Sequence, residues 1–111
     1  MADHHRHVGA AEGVALDIGS GVGALVVHAS RDRLGREVEV SRIGSPGRRV
    51  HAEVHERRAG WDVLYAAVID GLAEGEYQVW TGAPAPTGRV RIEGGSVTAI
   101  EWNGWPRGRR T

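Results

Sequence analysis

The sequence predicts an all-β fold, an antiparallel β-sandwich of about seven short strands. Apolar runs of strand length recur along the chain. Gly, Pro, Asp and Ser separate them roughly every ten residues, the spacing of a sandwich or barrel. No segment keeps a 3.6-residue apolar period over the roughly eleven residues that a helix needs.

The chain has 111 residues, enough for one core but not two. We expect a His-rich arm over 1–13, a sandwich domain over 14–103 and a basic tail over 104–111. The strands expected are Val22–His28, Arg36–Ile43, Arg48–Arg57, Trp61–Ile69, Glu76–Thr81, Arg89–Glu93 and Val97–Trp102, with Val14–Ile18 as a further candidate. Gly82–Thr87 has the composition of a linker.

Arg48–Arg57 alternates most clearly. Val50, Ala52 and Val54 face one way, and Arg49, His51, Glu53, His55 and Arg57 the other. Val38 and Val40 oppose Glu37, Glu39 and Ser41 in the preceding strand. Matching the two apolar faces requires an even register sum, such as Glu37 opposite His55. A bare Pro46-Gly47 turn gives an odd one, so the loop must be longer or bulged. A turn at Ala59-Gly60 sets Val54 against Tyr65 and pairs Arg57 with Asp62. Trp61, Val63, Tyr65 and Ile69 then face the core, while Leu64, Ala66 and Val68 lie on the other face beside His51 and His55. Gly94-Gly95 before Val97 signals another hairpin.

Fourteen basic and fourteen acidic residues cancel, so no global field draws nucleic acid or an anionic membrane. All the basic residues are Arg, which excludes Schiff-base and isopeptide chemistry on Lys. The absence of Cys excludes disulfides and thiolate sites. That absence, together with an N-terminus lacking the apolar run of a signal peptide, leads us to expect a cytoplasmic protein.

Three stretches together resemble the transthyretin-like sandwiches, which include collagen-adhesin B-type repeats and the regulatory domain of carboxypeptidases. Ile69-Asp70-Gly71-Leu72-Ala73-Glu74-Gly75-Glu76-Tyr77-Gln78-Val79 is similar to their "gLpaGtYtv" segment, Gly88 to Trp102 to their final hairpin, and Gly35 to Val40 to their opening strand. The resemblance implies a tight turn at Gly75, a core plug at Tyr77 and a non-catalytic binding or spacer role. Leu16-Asp17-Ile18-Gly19-Ser20-Gly21-Val22-Gly23 resembles the first motif of class I S-adenosylmethionine methyltransferases. That resemblance implies a cofactor against the glycines and Glu39 as its ribose ligand. The motif requires a helix next, whereas Ala24–His28 is β-branched, so the expectation is a Gly-rich loop between strands.

The candidate metal ligands are His4, His5 and His7 in the arm and His51, Glu53 and His55 on the polar strand face. With Met1 removed, Ala2-Asp3-His4 offers an amine, two backbone nitrogens and an imidazole, a square-planar set for Cu(II) or Ni(II). His51 and Glu53, about 6.5 Å apart on one face, could share a metal such as Cu(II), Ni(II) or Zn(II), whereas His51 and His55, about 13 Å apart, could not without a partner strand. No Ser/His/Asp arrangement marks nucleophilic catalysis. Trp61 and Trp80 are expected in the core or at its rim, and Trp102 and Trp105 at the surface. The arginines at 107, 109 and 110 make only a weak anion site.

The leading expectation is a non-catalytic β-sandwich that self-associates or docks a protein partner, with Leu64, Val68, Trp102 and Trp105 as contacts. A metal-handling accessory protein and a methyltransferase-like enzyme are the alternatives.

Overall fold

A computed structural model describes residues 16–102. In order they form β1 (Val22–Ala29), a 3₁₀ turn (Arg31–Arg33), β2 (Glu37–Arg42), β3 (Arg49–Glu53), β4 (His55–Ala59), β5 (Asp62–Ala73), β6 (Gly75–Trp80), β7 (Gly88–Ile92) and β8 (Val97–Glu101). They build two four-stranded sheets, β4-β5-β1-β8 and β3-β2-β6-β7. All neighbours are antiparallel except β1 and β8, which run parallel. The fold is therefore the expected all-β sandwich.

Alternation explains the layering. Leu25 and Val27 of β1, Val38 and Val40 of β2, Ile69 of β5 and Val79 of β6 point between the sheets and are buried in one cluster. Tyr77 plugs that cluster as expected, and its hydroxyl donates to the Ala73 carbonyl at 2.6 Å. β1 lies in the interior of its sheet, and Ala24 and Val26 on its outer face are buried as well.

Arg48–Arg57 is not one strand. It pairs with β2 as far as Glu53 and with β5 from His55. Val54 is the crossing point: 1% exposed, it donates its N–H to the Arg36 carbonyl and accepts from the Gly35 N–H, both at 2.9 Å. Glu37 faces Glu53, two residues short of His55, so the expected faces are preserved across a loop longer than two residues.

The β4–β5 turn also differs by one position. Ala59 pairs with Asp62, leaving Gly60 and Trp61 as the turn, with Gly60 at φ 66°. The register sum changes by two, so Tyr65 and Ile69 still face the core and Leu64, Ala66 and Val68 the opposite side. Trp61 and Val63, expected in the core, lie beyond it, 99% and 40% exposed. Arg57 sits opposite Leu64 rather than Asp62, so the expected ion pair is replaced by a bond from its Nε to the Ala66 carbonyl at 3.1 Å.

Gly88 to Trp102 is not a hairpin. Gly94-Gly95 carries the chain from β7 in one sheet to β8 in the other. This crossing presses on the start of β1: Gly95 N–H donates to the Val22 carbonyl at 2.9 Å, and Ala24 N–H to the Ser96 carbonyl at 3.1 Å. A Cβ at Gly23 would stand 2.3 Å from the Glu93 carbonyl oxygen, and one at Gly94 would stand 2.6 Å from the Gly21 nitrogen. The Gly-rich stretch thus has a packing reason, and a strand follows it where the methyltransferase motif needs a helix.

Gly23→Ala should lower the free energy of urea unfolding by about 1–3 kcal/mol through overpacking against fixed backbone. Gly19→Ala, which meets nothing within 4 Å, should change it by less than about 1 kcal/mol. Equal stability of the two variants would contradict the close approach.

Candidate functional site

The candidate site is the β4–β5 hairpin and the outer face of its sheet. Register places His55, Ala66, His28 and Glu101 in one row across that face and Val68, Val26 and Ala99 in the next. Ala24, Val26 and Ala66 are buried, Leu64, Val68 and Val97 half-buried, and Ala99 exposed. The centre is therefore apolar, with basic groups at the β4 edge and Glu101 at the β8 edge. Arg57 crosses toward Ala66, and burial pushes its guanidinium below the ordinary arginine range. At the far end, Asp17 N–H donates to the Asp70 carboxylate at 2.7 Å, tying down the chain next to buried Leu16.

Trp61 stands at the free end of this hairpin. The β4–β5 pairing carries it past the last inward-facing aromatic, Tyr65, and Gly60 in positive φ forces the reversal that leaves the indole in solvent. Sequence reasoning missed its exposure. The turn signal Ala59-Gly60-Trp61 admits two placements of the reversal with the same side-chain parity, and they differ mainly in the fate of Trp61.

The sandwich separates the residues of the polar strand face. His51 and Glu53 lie on β3, and His55 on β4 in the other sheet, so Leu64 and Val68 have His55 but not His51 beside them. His51 Nδ1 is 3.1 Å from Glu37 Oε2, and His55 Nε2 is 3.9 Å from Glu53 Oε1. Among the described residues no three His, Asp or Glu side chains converge as metal ligands. Glu39 pairs with Arg49 at 2.9 Å rather than lying near the Gly-rich loop. Arg49 in turn stacks on Trp80, 3.6 Å from the ring centroid, and the Trp80 indole N–H donates to Ser41 Oγ at 3.0 Å. Trp80 is thus buried on the outer face of its sheet rather than in the core.

Trp102, expected at the surface, is 9% exposed within the core cluster. Its backbone N–H donates to the His28 carbonyl at 2.8 Å, and Arg33 lies over its ring at 4.7 Å. Continuation of β8 beside β1 turns this ring inward, so it is not available to a partner. His4, His5, His7 and Trp105 lie outside the described residues. The chain matches no protein family, no curated protein and no solved structure.

Ser41→Ala should destabilise the fold by about 1–3 kcal/mol, because it leaves the buried Trp80 indole N–H unpaired. Chemical denaturation followed by Trp fluorescence checks this. An unchanged midpoint would mean the indole finds another partner.

Proposed function

We propose that this chain is a non-catalytic interaction module that self-associates through the β4–β5 hairpin and the outer face beside it. The observation that carries the reading is Trp61, 99% exposed at the turn of the β4–β5 hairpin. Tryptophan supplies large contact area at low entropic cost and is enriched among residues that dominate binding energy. Withdrawing one indole from water is worth about 4–6 kcal/mol in transfer terms. Association costs about that much or more, so a lone indole is not sufficient. The half-buried Leu64 and Val68 lie further along the same strand and extend the contact.

Charge favours a second copy as the occupant. The β4 edge carries His55 and Arg57, and the β8 edge Glu101. A two-fold axis along the strands, between β5 and β1, sets the β4 edge of one copy against the β8 edge of the other. The same-row positions His55 and Glu101 then meet twice.

Sedimentation velocity over a micromolar concentration series tests the proposal. The parent chain should form a dimer. Trp61→Ala should be monomeric over the same range, with a melting midpoint within about 2 °C of the parent because the indole makes no contribution to the core. A parent that stays monomeric, or a variant that dimerises equally well, would refute it.

A further inference from the structure

The inward-facing row of β2 reads Val38, Val40, Arg42. A cation therefore occupies the position where the pattern calls for a third core residue. On the neighbouring strand Val50 also faces inward, opposite Val40, yet it is 48% exposed. Both residues, Arg42 and Val50, border a cleft between the two layers, whose wall on the β5 side is Gly71, Leu72 and Ala73. Val40, Val50, Leu72 and Tyr77 line it with apolar surface, Arg42 and Arg48 supply its charge, and its volume is about 220 Å³.

Among the described residues none of the lining side chains is a carboxylate; the acid beside the lining is Asp17, whose Oδ2 stands 3.0 Å from where a Cβ on Gly71 would lie. The ion pairs among the described residues engage Arg49, Arg58 and Arg91 but neither Arg42 nor Arg48. Arg42 instead lies over the Tyr77 ring at 5.7 Å. The absence of a side chain at Gly75 leaves room for it, since a Cβ there would stand 2.7 Å from Arg42 Nη2. The Tyr77 hydroxyl is committed to the Ala73 carbonyl, so the phenol offers the cleft its ring rather than a proton. Two guanidinium groups without acidic partners above an apolar floor form a receptor for an anion with a compact hydrophobic body.

We infer that this cleft binds a small organic anion, an aryl or short-chain carboxylate or phosphate monoester, with the charged group between Arg42 and Arg48 and the apolar body against Val40, Val50 and Leu72. The volume is below the usual range for drug-sized ligands, about 300–1,000 Å³, which restricts the occupant to a single ring or a short chain. The cleft is remote from the Trp61 hairpin in sequence register and does not depend on self-association.

Titration of the full isotopically labelled chain with phenyl phosphate, followed by amide and arginine Nε–H resonances, tests this. Saturable shifts should appear at Arg42, Arg48, Gly71 and Tyr77. Arg48→Gln should weaken binding by about tenfold or more, and Arg42→Gln with Arg48→Gln should abolish saturation. Benzyl alcohol, which lacks the charge, and inorganic phosphate, which lacks the ring, should each bind at least about tenfold more weakly. Unchanged amide dispersion in Arg48→Gln, whose side chain is exposed, controls for folding. The inference fails if phenyl phosphate gives no saturable shift, if the shifts map elsewhere, if the double variant binds like the parent, or if either partial probe binds equally well.

Discussion

The structure depends on one crossing. Val54 stands between two strands that belong to different sheets, and both of its backbone groups are taken by the segment entering β2. Because the N–H and C=O at the break find partners at Arg36 and Gly35, the chain changes layers without stranding buried polar groups. The buried Val54 side chain fastens the same point to the core. Much of what sets this surface apart follows from that. β4 is freed from β2 and becomes the edge partner of β5, and their hairpin runs past the core to hold Trp61 in solvent. His51 and His55 end on separate sheets. β3 is left as an edge, and its inward-facing Val50 borders the cleft.

A second crossing, at Gly94-Gly95, closes the sandwich. It lays β8 parallel to β1 and turns Trp102 into the core. The backbone passes so near Gly23 that no side chain fits. Glycines that resemble a cofactor loop in one dimension serve here to bring two backbones together, and the residues that follow complete a sheet.

Much of the fold was legible in the sequence because period-two alternation reports which side of a sheet a residue faces, and parity survives small register errors. The expected faces of Val38, Val40, Tyr65, Ile69, Leu64 and Val68 all hold, although both hairpin registers are shifted by two. What alternation cannot report is which sheet a strand joins. The alternation of Arg48–Arg57 passes through Val54 unbroken, because the inward side of either sheet is the same core. For that reason the crossing at Val54, the parallel placement of β8 and the inward turn of Trp102 left no periodic trace. The exposure of Trp61 depended on a one-residue choice within a turn. The cleft did leave a signal, an Arg at the third inward position of β2, but its meaning required knowing that a cleft lies there.

Cross-strand backbone nuclear Overhauser contacts test the crossing most directly. The account predicts that residues 49–53 show contacts to 37–41, that residues 55–59 show contacts to 62–66, and that none join 55–59 to β2. Val54 N–H should be protected from exchange by its bond to Arg36. A continuous ladder that carries His55 onto Glu37, with an unprotected Val54 amide, would contradict the account.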